Sequence, residues 1–167
     1  RFCDPFCGVG GFLLELLNLN ESMRATYAPN SSGRIGVPFV LHGFDKGFER
    51  DDERTIILAK ANMLIYLAEL LFTNPQCSTE FARVFNDTFR LFKDNLGSFG
   101  HILNEEAEKY DVIFSNPPYV TSGSSIIKEE IKKTARTANA YPVNAFGLEG
   151  LSVEWIVKSL KKGGRAF

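Results

Sequence analysis

"RFCDPFCGVGGFLLELL" (1–17) holds a strand end, a glycine turn and a helix start. Arg1–Asp4 reads as the end of a short strand. Gly8 and Gly10 permit a tight turn with no side chain in the way, so a ligand can approach the backbone. A helix is predicted from Gly11 to about Leu19, because Phe12, Leu13, Leu16 and Leu17 recur at helical spacing. Its N-terminus favours negative charge. The turn is not a P-loop, since no Lys-Ser/Thr pair follows the glycines, and Leu13 stands where a dinucleotide fingerprint has its third glycine. By itself the glycine pattern also suits an ordinary strand–helix turn. Asp4 directly before it adds an acid beside a helix N-terminus, which can hold a ligand carrying both a cation and an anion.

Outward from this unit, the polar stretch 20–38 reads as a mobile loop or insertion, rich in Asn, Ser, Gly and Pro. "FVLHGF" (39–44) is the second strand, ending at Asp45. Asp51 or Asp52 is expected to cap a long helix over 52–72, with Ile57, Ala61, Leu64, Ile65 and Ala68 on its apolar face. "ARVFNDTF" (82–89) reads as a third strand and "YDVIFSN" (110–116) as a fourth. A charged helix is expected over Lys128–Arg136 and an amphipathic one over Glu149–Lys161, ended by Gly163 and Gly164, with "RAF" opening a fifth strand. This alternation predicts an α/β fold, a mostly parallel sheet wound by right-handed crossovers with helices on both faces. Ligands bind such sheets beyond the carboxyl ends of the strands. Asp4, Asp45, Asp87 and Asn116 are each expected at that rim.

The 167 residues suit one domain with a substantial core, and the fifteen phenylalanines suggest a thick one. No run has the eighteen or so apolar residues of a membrane span, and no basic, cleavable leader opens the chain, so a cytoplasmic location is expected. Cys3, Cys7 and Cys77 cannot all pair and lack partners for a zinc set, so buried reduced thiols are expected. A net charge of −1 gives no global attraction to nucleic acid. Any basic contact surface must therefore be local or come from a partner. Both ends read as interior to a longer chain.

The cation-and-anion ligand that Asp4 and the turn suit includes the methionine part of S-adenosylmethionine. Asp45, at the end of the second strand, is placed to accept both ribose hydroxyls of a nucleoside, or else to serve as a turn or cap residue. Asp87 in "FNDTF" can accept from the exocyclic amine of a cofactor adenine, or close an ordinary turn. "NPPY" (116–119) is the most specific element. Asn116 offers a side-chain carbonyl and Pro117 a backbone carbonyl, while Pro117 and Pro118 stiffen the segment and remove its donors. Two acceptors on one planar NH2 group draw its hydrogens aside and free the nitrogen lone pair. Tyr119 supplies a face on which a flat substrate can stack.

"DPFCGVGGFL" followed by "DVIFSNPPY" resembles the N6-adenine DNA methyltransferases. More narrowly, "NPPYVTSGSS" with "FGLEGLSVEWIVKSLKKGGRAF" is similar to the modification (M) subunits of type I restriction-modification systems, over residues 2–167 and most weakly over 20–38. The resemblance implies a Rossmann-like S-adenosylmethionine-dependent methyltransferase fold, with residues 1–167 as the catalytic core. A helical region before it and further sequence after it belong to such subunits. Asp4, Pro5, Gly8 and Gly10 would line the methionine end of the cofactor, Asp45 the ribose and Asp87 the adenine. Asn116, Pro117, Pro118 and Tyr119 would hold the target base. DNA would be the substrate, with a specificity (S) subunit and a restriction (R) subunit as partners.

Other planar amines also suit NPPY: cytosine N4, a guanine amine in ribosomal RNA, or a glutamine amide in a release factor. A cofactor-binding assembly module without catalysis is the rival from another class. Lys128, Lys132, Lys133 and Arg136 recur at helical spacing and could meet phosphates, although Glu129 and Glu130 interrupt them. Trp155 reads as core. His42, His101 and the serines at 115 and 122–125 form no hydrolase arrangement.

Overall fold

The short strand β1 (Phe2–Asp4) lies at the centre of the sheet in a computed structural model that describes residues 1–46, 50–92, 96–103, 109–117 and 124–167. Its neighbours are β2 (Leu41–Lys46) and β4 (Tyr110–Ile113). β3 (Phe89–Phe92) and β5 (Leu160–Ala166) complete the order β3-β2-β1-β4-β5. Every pairing is parallel, with Phe2 opposite Leu41 and Val112, and Cys3 opposite His42 and Ile113. The chain moves outward from β1 through β2 to β3 and then crosses back to β4. The winding therefore reverses between β1 and β4, which opens a crevice at the carboxyl ends of those two strands.

Helices cover both faces. On one lie α1 (Gly11–Leu19), α3 (Arg50–Tyr66), α4 (Ala68–Thr73) and α5 (Ser78–Thr88), packed through Leu13, Leu17, Met63, Phe81 and Phe85. A short helix, α2 (Glu21–Ala25), follows α1 in the crossover from β1 to β2. On the other face lie a 3-10 segment (Gly97–Leu103), α6 (Ser124–Lys132), α7 (Ala135–Ala140) and α8 (Gly147–Ser159). Tyr110, Ile113, Ile131, Tyr141 and Trp155 form that core. Trp155 is fully buried, as its apolar neighbours in the sequence suggested.

α1 has the bounds its spacing predicted. The stretch 20–38 does not stay an open loop. Asn20 caps α2 by accepting the Met23 N–H at 3.0 Å. Tyr27 and Ile35 are buried, and Glu80 accepts the Ile35 N–H at 3.1 Å, so the segment is stitched to α5. β2 runs to Lys46, which places Asp45 inside the strand instead of after it.

Three other expectations need correction. The stretch 82–89 is mostly helix: α5 puts Phe81, Val84, Phe85 and Thr88 on one buried stripe, and Arg83 reaches Glu80 and Asp87 across one helical turn. The expected Lys128–Arg136 helix divides, because Thr134 accepts the Thr137 N–H at 3.1 Å and starts α7. α8 ends at Ser159, and Gly163 and Gly164 lie within β5 at a bulge, where Tyr110 faces Leu160 but Val112 faces Arg165.

The long helix also presents another face than expected. It starts at Arg50, before Asp51, and breaks at Leu67, and Ile56, Ala59, Met63 and Leu67 face the core. Ile57 and Ile65 are 63% and 67% exposed. Apolar residues at both 56–57 and 63–65 satisfy helical spacing on two adjacent stripes, and only the sheet selects one. Met63→Ala should therefore lower stability by about 2–5 kcal/mol in denaturant unfolding. Ile57→Ala should change it by less than about 1 kcal/mol, and a larger loss there would mean that the stripe is misassigned.

Candidate functional site

Asp4 ends β1 at the floor of the crevice and is only 2% exposed. Among the described residues one hydrogen bond reaches its carboxylate, from the Phe6 N–H at 3.1 Å. Pro5 is buried beside it. The chain then turns: the Cys7 N–H donates to the Phe44 carbonyl and the Gly10 N–H to the Cys7 carbonyl, both at 2.8 Å. Gly8 and Gly10 take the left-handed backbone that glycine tolerates, at φ 51° and 85°. From α3, the Asn62 amide donates to the Val9 carbonyl at 3.0 Å and holds the outer side of the turn.

One ring locks this turn to the sheet. A Cβ on Gly10 would stand 2.7 Å from the Phe89 ring, and one on Gly43 would stand 2.6 Å from it. Phe89, the first residue of β3, thus fills a notch that only two glycines leave open. Gly8 and Gly11 differ: nothing lies within 4 Å of a Cβ built on either. The same turn is close-packed underneath and open on top, where a ligand can meet its backbone.

Asp45 lies two residues beyond Gly43, the register partner of Asp4, on the adjacent strand. The two carboxylates sense one another. Burial pushes the Asp4 carboxyl up to about 7, the Phe6 N–H opposes it, and Asp45 adds a smaller upward push. Burial also pushes the Cys7 thiol far up, helped by Asp4 and Asp45. A thiol so held stays protonated and is no nucleophile. Cys3 and Cys77 are likewise buried free thiols.

Across the crevice, the segment after β4 is held on both sides. The Phe114 N–H donates to the Cys3 carbonyl and the Ser115 N–H to the Phe167 carbonyl, both at 2.9 Å. Asn116 follows, exposed at the rim, and Pro117 lines a groove of about 380 Å³ with Ser115, Glu149 and Ser152. Pro118 and Tyr119 lie outside the described residues. Asp4, Asp45 and Asn116 therefore share the carboxyl rim, with the glycine turn beside Asp4.

Asp87 does not join them. It belongs to α5, two residues before β3 begins, and so lies at the amino-terminal edge of the sheet. There it pairs with Arg83 at 2.6 Å and lines a separate cavity of about 540 Å³ with His42 and Arg90. A strand over 82–89 would have put it near a carboxyl end, but the strand is the four residues that follow Thr88. In chain order the acid after β3 is Asp94, outside the described residues. His42 is a core group: its Nδ1 lies 3.0 Å from the Tyr110 hydroxyl, and burial, with Arg90 next, lowers it to about 3.

Asn62 and Phe89 belong to no motif that marks them in the sequence. Gly43 inside the apolar run "FVLHGF" was the available signal for Phe89, since a glycine in a strand interior marks a close approach.

A parallel sheet that reverses its winding at β1/β4, with its acids and its Asn-Pro segment at that crevice, is the arrangement of a Rossmann-like methyltransferase domain. Comparison with protein families gives the particular one: the chain belongs to the N-6 DNA methylase family, whose model matches residues 1–167. Searches of curated proteins and of solved structures find no match. Among the described residues, no helix is long and apolar enough to cross a membrane.

Because Asp4 is held near 7 when folded and ionises near its ordinary value of 3.8 when unfolded, its burial costs stability increasingly as pH rises from about 4 to 7. Asp4→Asn keeps the Phe6 contact and removes that cost. Thermal unfolding of the ligand-free protein should show the variant more stable than wild type at pH 8, by about 1–4 kcal/mol. The difference should vanish near pH 4. Equal destabilisation at both pH values would show that Asp4 is a structural acceptor and nothing more.

Proposed function

We propose that this chain is the catalytic core of a methyltransferase that uses S-adenosylmethionine to methylate the N6 amine of adenine in DNA. The observation that carries the reading is the placement of Asn116-Pro117 across the β1/β4 crevice from the buried Asp4. Membership of the N-6 DNA methylase family supports it.

The residues fit the cofactor. Asp4 is a buried carboxyl group with one backbone donor and, among the described residues, no cationic partner. The open backbone at Gly8, which a Cβ would fill, gives room for a carboxylate at the start of α1. When bound, S-adenosylmethionine supplies a methyl group already activated by its sulfonium. Asp4 would pair the amino group of its methionine part, with Pro5, Gly8 and Gly10 shaping the contact. Asp45 would accept the ribose hydroxyls. Asp94, the acid that follows β3 in the chain, would take the adenine contact in place of Asp87.

On the substrate side, Asn116 Oδ1 and the Pro117 carbonyl would accept the two hydrogens of the target amine. Its nitrogen then becomes more tetrahedral and its lone pair turns out of the ring plane. Pro117 and Pro118 offer no N–H groups that could occupy these acceptors. The target base must leave the duplex at a cost of a few kcal/mol. Stacking on Tyr119, worth about 1–3 kcal/mol, would offset part of it. The chain's own work is alignment and polarisation. A net charge of −1 gives it little general pull on DNA, which suits a modification subunit of a type I restriction-modification system that takes sequence readout from an S subunit and can join an R subunit.

Mass spectrometry of DNA incubated with the full-length protein, its co-purifying partners and S-adenosylmethionine should find N6-methyladenine. N4-methylcytosine, or methyl groups only in RNA or protein, would refute the adenine reading. Asn116→Ala should cut methyl transfer at least about 100-fold with cofactor affinity retained. Asp87→Ala should leave cofactor affinity unchanged, whereas Asp94→Ala should weaken it; the reverse pattern would restore Asp87 to the site.

A further inference from the structure

We propose that Phe146 is a wedge that enters the DNA base stack next to the target base, with Lys128 on a flanking phosphate. The inference rests on the reading of this chain as a DNA methyltransferase.

Phe146 is 91% exposed, although it borders a segment packed into the core. Tyr141 is buried and its hydroxyl donates to the Phe99 carbonyl at 2.7 Å. Asn144 takes the left-handed conformation at φ 47°, and its N–H donates to the Tyr141 carbonyl at 3.1 Å. The Ala145 N–H donates to Glu154 Oε1 at 3.1 Å, and a Cβ on Gly150 would stand 2.9 Å from the Ala145 Cβ. Residues just before Phe146 are therefore pressed onto α8. Immediately after it, Gly147 has φ 74° and α8 begins. A ring anchored this way on both sides is presented outward.

The direction of α8 places that ring. α8 runs straight into β5, whose first residue, Leu160, pairs with the first residue of β4. Its C-terminus thus lies at the amino-terminal edge of the sheet and its N-terminus at the carboxyl rim. Glu149, three residues after Phe146, lines the same groove as Ser115 and Pro117. Phe146 stands about one helical turn, ~5 Å along the axis, from the wall of the groove that holds the Asn-Pro segment. Lys128 Nζ lies 5.3 Å from the Phe146 ring centroid, so a cation accompanies the exposed ring.

An apolar ring beside a cation, on a rigid support at the mouth of a site that must receive an unstacked base, suits DNA. Proteins that distort the duplex insert such rings between base steps. Phe146 would occupy the stacking space that the adenine vacates and slow its return. Lys128 would exchange the ring face for a phosphate oxygen. Lys128 belongs to α6 and Phe146 caps α8, apart in the chain from the glycine turn and the strand ends of β1 and β2 that would hold the cofactor.

The test uses the full-length protein with its co-purifying partners and a duplex carrying the sequence that methylation-sensitive sequencing identifies. In one duplex the target adenine is paired; in a second it faces a mismatch and is already loosened. Phe146→Ala should lower kcat/KM about ten-fold on the paired duplex and less than about three-fold on the mismatched one. Phe146→Trp should restore most of the loss. With 2-aminopurine at the target position, the fluorescence rise seen with wild type should shrink in Phe146→Ala. Lys128→Gln should reduce the salt dependence of DNA binding by about one counterion. Cofactor affinity should stay at the wild-type value in all three variants. Equal kcat/KM for wild type and Phe146→Ala, or an equal loss on both duplexes, would overturn the wedge. Wild-type protein that methylates neither duplex would overturn the underlying DNA reading, and the wedge with it.

Discussion

A carboxylate buried at the end of the central strand is costly, and the architecture around Asp4 keeps it there. Burial disfavours its charge, the Phe6 N–H compensates in part, and Asp45 on the next strand adds repulsion. Left alone, the arrangement is strained electrostatically at neutral pH. A cation placed between β1 and β2 relieves it, so differential stability becomes binding energy. Asp4 and Asp45 can sit this close because β1 and β2 are parallel and in register, with Gly43 opposite Asp4. The crevice exists because the winding reverses between β1 and β4.

Phe89 joins this site to the core. Its ring fills the notch that Gly10 and Gly43 leave, so β3, β2 and the glycine turn share one contact. Asn62 holds the turn from α3. The upper surface at Gly8 and Gly11 is left free because its lower surface is tied down at these points. On the far side of the crevice, hydrogen bonds from Phe114 to β1 and from Ser115 to Phe167 fix the direction in which Asn116 leaves the sheet. Rigid approach on both sides is what a reaction governed by alignment requires.

Much of this was legible in the sequence, and the exceptions have physical causes. The strand–turn–helix at 1–19 combines apolar spacing with glycines, so its bounds were readable. Asp4, Asp45 and Asn116 end apolar runs of strand type and all reach one rim. Asp87 was misplaced because "RVFNDTF" offers β-branched and aromatic residues that suit a strand, while the helical stripe beginning at Phe81 and the Arg83 ion pairs outweigh that preference. The buried face of α3 was undecidable from spacing alone, since adjacent apolar residues support either stripe. Asn62 and Phe89 act through contacts some fifty and eighty residues distant from the glycine turn, and such pairings leave no local trace.

The most direct measurement of the central claim is calorimetric titration of the full-length protein with S-adenosylmethionine from pH 6 to 8, in buffers of different ionisation enthalpy. If the buried Asp4 receives the cofactor's cation, wild-type affinity should weaken as pH falls below about 7 and binding at pH 6 should release a proton from this group. Asp4→Asn should lose most of the affinity and that proton release together. Binding by wild type that is independent of pH, or unaffected by Asp4→Asn, would contradict the account.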